Sequence, residues 1–157
     1  MLPAKRVRLV GVPVALFLAA EQHTNDLLRE IALMAAARPG TGHLFSDTLS
    51  TAETYAHRPA SVRDRIVESI GIAQRAGWDT VTVDVEADES AADGALAWEE
   101  LLRRFDAMSR DERLLTLPAD GELVAYRSWY VRELVEQVRT GRDPVPWARA
   151  GVLAGAH

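Results

Sequence analysis

Thr80-Val81-Thr82-Val83-Asp84-Val85-Glu86 is the stretch on which the fold turns. Side chains alternate across a strand, so Val81, Val83 and Val85 share one face while Thr80, Thr82, Asp84 and Glu86 share the other. A sheet covered by helices on both sides would bury Asp84 and Glu86 without partners, which is costly. The expectation is an α/β domain of the α+β kind, an open two-layer sandwich with one small sheet backed by helices on its valine face.

Upstream of this strand, Ser61 is placed to cap a helix that sets Val62, Ile66, Ile70 and Ala73 on one side before Gly77 stops it. Residues 38–60 carry Pro, Gly, Ser and Thr among few large apolar groups and read as a long mobile connection, with a short helix around 47–57. Before them, residues 14–37 project Leu16, Phe17, Ala20, Leu27, Leu28, Ile31 and Met34 into one helical stripe. Residues 6–12 alternate as a first strand, with Pro13 suited to the opening turn of the helix that follows.

Downstream, Ser90 with Asp93 makes a capping-box pattern for a helix striped by Ala91, Ala95, Trp98, Leu101, Leu102, Phe105 and Met108. Arg113 to Leu117 reads as a short strand ahead of Pro118, and a last helix runs from about Asp120 to Thr140, closed by Gly141. The expected order is β-α-α-β-α-β-α. At 157 residues and 48% hydrophobic composition the chain can bury one core, so residues 1–147 are taken as a single domain and 148–157 as a C-terminal tail.

Composition removes several function classes. Without cysteine there is no disulfide scaffold, thiolate metal site or cysteine nucleophile, which fits a reducing, cytoplasmic setting. A net charge of −5 with scattered basic residues does not supply the concentrated positive face that nucleic acid requires. Lys5, Arg6 and Arg8 before an apolar run to Ala20 outline a signal peptide, but Pro13 interrupts the run. It is also far shorter than the ~20 residues of a membrane span, so no membrane partner is expected.

Candidate chemistry begins with His23, Asp26 and Glu30, whose i, i+3, i+7 spacing puts them on one side of a helix, as a ligand-binding or metal set would need. The competing reading is a histidine at the edge of the apolar stripe that packs its ring and bonds a carboxylate. Asp84, Glu86, Asp88 and Glu89 begin an acidic run, and residues 79–100 hold eight acids and no base. A solvated strand leading into a helix N-terminus accounts for most of it, no calcium loop is present, and a basic protein partner is the better functional reading. Glu53 with His57, and Gly40-Thr41-Gly42-His43, are too unspecific to define a metal or phosphate site, and the loop lacks a P-loop ending. No catalytic residues, metal site or cofactor are expected.

The last helix departs from its own pattern at two places. Arg127 falls inside the apolar stripe of Leu123, Val124, Tyr130, Val131, Leu134, Val135 and Val138, and needs a carboxylate or helix-end carbonyls as partner. Trp129 projects to the far side with Arg132, Glu133 and Glu136, where an indole needs a cover. Either the Pro144-Val145-Pro146-Trp147 tail folds across it, or these four residues form a protein-binding surface or a homodimer contact.

The chain resembles a group of small actinobacterial proteins described as ATP-binding or anti-sigma-factor-like, akin to histidine-kinase-type ATPases. The matching stretches are Arg8-Leu9-Val10-Gly11-Val12-Pro13-Val14, His23 with Leu27-Leu28-Arg29-Glu30, and Leu115-Thr116-Leu117-Pro118 leading to Ala125-Tyr126-Arg127-Ser128-Trp129-Tyr130, followed by Pro146-Trp147. The resemblance implies a partner-switching regulator. Its nucleotide site does not carry over, because Glu68 is followed four residues later by Ile72 where asparagine would hold magnesium, and no Asp-x-Gly with a glycine-rich lid follows. Two functions are thus expected: a non-enzymatic regulatory protein-interaction domain, or alternatively a degenerate nucleotide- or metal-binding domain using His23 and residues 38–60.

Overall fold

A computed structural model describes residues 3–37, 62–111 and 113–148. Their elements run β1 (Lys5–Pro13), α1 (Val14–Ala37), α2 (Val62–Ala76), β2 (Thr80–Ala87), α3 (Glu89–Arg110) and α4 (Gly121–Thr140). The expected short helix at 47–57, the Ser61 cap, Glu53, His57, Gly40–His43 and most of the C-terminal tail lie outside the described residues.

β1 and β2 pair antiparallel, with Val7 opposite Val85 and Leu9 opposite Val83. These four are buried, whereas Thr82 and Glu86 on the opposite face of β2 are exposed, so the sheet has one dry and one wet side. The register slips between Leu9 and Val12, where Gly11 takes a φ of 71° that a side chain would resist. Pro13 belongs to the end of β1, opposite Thr80, rather than to the first helical turn.

The outer edge of β1 is covered by a side chain that imitates a neighbouring strand. Arg8 donates its backbone N–H to Gln137 Oε1 at 2.9 Å, and Gln137 Nε2 donates back to the Arg8 carbonyl at 3.0 Å. At Arg8 the outward-facing backbone groups of this edge are thereby occupied. Lys5 Nζ adds a bond to the Val138 carbonyl at 2.6 Å, fixing α4 along the strand.

The helix ends follow ordinary capping chemistry, with one shift. Asp88, not Ser90, caps α3, its carboxylate accepting from the Ala91 N–H at 2.9 Å. Aspartate two residues earlier satisfies the first free amides and starts the helix at Glu89. Asp120 caps α4 through Leu123 N at 2.8 Å, and Gly141 closes it at a φ of 68°.

Among the described residues the sheet has two strands, and the order is β-α-α-β-α-α. The third strand expected at Arg113–Leu117 is not formed. Leu115 and Thr116 give their backbone N–H groups to the Glu30 carboxylate on α1, so the donors a ladder would need are already taken.

Among the described residues two apolar clusters result. The larger joins the dry face of the sheet to Phe17, Ile66, Ile70 and the inner side of α4; the smaller joins Leu27 and Ile31 of α1 to Leu101, Leu102, Phe105 and Leu114. Trp129, expected on the outside of α4, belongs to the larger cluster and is 3% exposed. Its Nε1 donates to the Val145 carbonyl at 2.8 Å, and Trp147 meets it edge-on with ring centroids 5.7 Å apart. The chain after Gly141 folds back across α4, the first of the two covers expected for Trp129, so this helix is buried on more than one side.

Candidate functional site

The segment between α3 and α4 combines a backbone fastened from within and side chains turned outward. Leu114 enters the smaller core at 6% exposure, which fixes where the segment begins. Glu30 accepts from the N–H groups of Leu115 and Thr116 and from the Thr116 hydroxyl. Partial burial opposes the charge on Glu30, but the Thr116 hydroxyl and the two backbone N–H groups outweigh it and hold its pKa below the ordinary glutamate value.

His23 Nε2 lies 2.8 Å from the Leu117 carbonyl. A carbonyl can only accept, so this nitrogen carries the hydrogen. Asp106, on α3 and 3% exposed, accepts from the Ala119 N–H at 3.1 Å, pairs with the Arg127 guanidinium, and lies 3.9 Å from His23 Nε2. Four backbone groups between Leu115 and Ala119 are therefore held by side chains of α1 and α3. The two leucines they hold are turned to solvent, Leu115 at 94% and Leu117 at 79% exposure.

His23, Asp26 and Glu30 share a helix side but do not converge. Asp26 takes a bond from Gln22 at 2.9 Å, while His23 and Glu30 fasten different parts of the 115–119 segment. Among the described residues no three metal-capable side chains come together. Arg127 is met by Asp106 from the neighbouring helix, and its Nη1 is buried without a partner.

The four residues read as a partner surface are divided by the fold. Trp129 and Glu133 are buried, whereas Arg132 is exposed and Glu136 half-buried. Glu133, 1% exposed, accepts from Arg142 Nη2 at 2.7 Å and from Val145 N and Gln137 Nε2, each at 2.9 Å. It anchors the chain segment that covers Trp129.

The acidic run meets bases from elsewhere in the chain. Arg6 donates to Asp84 at 2.8 Å, and Arg139 reaches Glu89 at 3.1 Å and Asp93 at 2.7 Å. The Arg6 hydrogen bond holds Asp84 below the usual carboxylate range against the cost of burial, with the charges of Arg6 and Arg8 assisting. Much of the charge reserved for a basic partner is thus neutralised internally.

A second feature is a cleft of about 180 Å³ between α1, α2, α3 and α4. Its apolar wall includes Phe17, Leu28, Ile66, Leu102 and Trp98, and its polar groups include Glu21, Arg63, Thr24 and Tyr126. Glu21 is paired with Arg63.

Sequence reasoning missed Asp106, Leu115 and Leu117. Asp106 was legible as an acid inside the apolar stripe of α3, the counterpart of Arg127 inside that of α4. The leucines gave no comparable signal, because alternation around Thr116 imitates a strand. Compared with protein-family models, curated proteins and solved structures, the chain matches none.

Proposed function

We propose that this chain is a non-enzymatic regulatory module that docks a protein partner through Leu115 and Leu117. The observation that carries the reading is the pairing of a backbone fastened by Glu30, His23 and Asp106 with two leucines projected into water. Burying each leucine at an interface contributes about 1.5–3 kcal/mol. A loop already held in shape loses little conformational freedom on docking, so more of that gain is retained as affinity.

No described helix is long and apolar enough to cross a membrane. A partner-switching role in the cytoplasm, implied by the resemblance to anti-sigma-factor-like proteins, would be exercised through this loop, with either another protein or a second copy of the chain as the occupant.

Site-specific photocrosslinking tests the assignment. Leu115→p-benzoylphenylalanine should give one defined protein adduct in the producing cells, and Thr82→p-benzoylphenylalanine on the wet face of β2 should not. Equal labelling from both positions, or no adduct from position 115, refutes the docking loop.

A further inference from the structure

The cleft between α1, α2, α3 and α4 has a more specific chemistry than its apolar wall alone suggests. Its charged side chains each face an opposite charge, Glu21 with Arg63, Glu99 with Arg103 and Arg127 with Asp106, although Arg127 Nη1 keeps an unused donor. A ligand bringing a full charge would have to break one of these pairs or remain uncompensated at a largely apolar site. Tyr126 lines the cleft at 5% exposure, and its phenol has no hydrogen-bond partner among the described residues.

Burial, assisted by the negative charge of Glu21, pushes Tyr126 well above the usual phenol range, so its hydroxyl remains a hydrogen-bond donor at physiological pH. The volume of about 180 Å³ is small for a drug-sized ligand and close to the ~150 Å³ cavity that accepts benzene. Phe17, Trp98 and Tyr130 supply aromatic walls suited to a flat ring.

We propose that this cleft binds a small uncharged ring compound bearing one acceptor oxygen, which receives the hydrogen of the Tyr126 phenol while the ring lies among Phe17, Ile66 and Trp98. The cleft touches the leucine loop only through the Arg127–Asp106 pair, and the proposal does not depend on the docking assignment.

The test is an amide-detected NMR titration of the full chain with acetophenone, which combines ring and acceptor. Ethylbenzene lacks the oxygen, benzoate carries a negative charge and benzylamine a positive one. Acetophenone should give saturable shifts confined to the helices around Ala20, Ile66, Trp98 and Tyr126. Ethylbenzene should bind about three- to tenfold more weakly, the range expected for loss of one neutral hydrogen bond.

Tyr126→Phe should lower acetophenone affinity to that of ethylbenzene while leaving ethylbenzene unchanged. Ala20→Leu, which adds bulk to the wall, should abolish both; if its melting temperature falls sharply, Thr24→Leu replaces it as the blocking variant. Absence of saturable shifts up to the solubility of acetophenone, shifts centred elsewhere, or benzoate or benzylamine binding as tightly as acetophenone would overturn the proposal. Equal loss of both neutral ligands in Tyr126→Phe would overturn the role of the phenol.

Discussion

Glu30→Gln keeps the shape of the side chain that fastens the leucine loop and removes its charge. The carboxylate accepts from two backbone N–H groups and one hydroxyl, across two oxygens. A carboxamide has one acceptor oxygen, and its NH₂ would face a donor, so at least one backbone bond is lost and the others weaken. Hydrogen bonds to a charged group contribute about 1.5–3 kcal/mol each, and the partial exposure of this site places the total near the lower part of that range, about 2 kcal/mol.

Hydrogen exchange at the Leu115 and Thr116 amides reads this locally. It should accelerate by about tenfold or more, since about 1.4 kcal/mol corresponds to a factor of ten. The pH dependence follows from the lowered folded-state pKa of Glu30. Its contribution is fully present above the unfolded pKa, near the ordinary value of 4.5, and is lost as the pH falls through the lower folded value. The stability gap between wild type and Glu30→Gln should therefore close on acidification. Unchanged exchange at both amides, or a gap that widens in acid, would refute the clamp.

Three further substitutions test the supporting structure. Trp129→Ala should cost about 3–5 kcal/mol in denaturant unfolding at concentrations where the protein is monomeric, as expected for a core tryptophan; a stable variant would return Trp129 to the surface. Arg127→Met should cost about 3 kcal/mol because it leaves Asp106 buried without its cation, and a measured loss below the scatter of repeat unfolding curves would show that the pair is not structural. His23→Ala should fold and lose at most about 1.5 kcal/mol, with faster exchange of the 115–119 amides; global unfolding would mean that the ring supports the core instead.

The two paired strands and the helices were legible because each rests on local periodicity. The valines of β2 alternate over the whole strand, and Asp120 and Gly141 bracket α4 with residues suited to its ends. The α3 cap was misplaced by two positions because Asp88 and Ser90 are both competent caps, and only packing chooses between them. The third strand failed for a different reason. Its backbone donors are claimed by Glu30, more than eighty residues earlier in the chain, and no local pattern encodes that contact.

Trp129 projects away from the stripe of α4, and of the two covers that the sequence allows for it the structure shows the returning Pro144–Trp147 chain. Of the candidate site, His23 and Glu30 were visible as residues of interest, but their common task of holding a distant loop was not. Opposite charges inside the stripes of α3 and α4 were readable separately, and their pairing required the arrangement of the two helices.

Affinity for a photocrosslinked partner, measured with purified components, tests the docking claim most directly when wild type is compared with the Leu115→Ser/Leu117→Ser double variant. Both leucines are exposed, at 94% and 79%, so the variant should retain the wild-type melting temperature. Its dissociation constant should rise by about a hundredfold or more, in line with the loss of two buried leucines at about 1.5–3 kcal/mol each. An affinity equal to that of wild type, with the fold intact, would contradict the account.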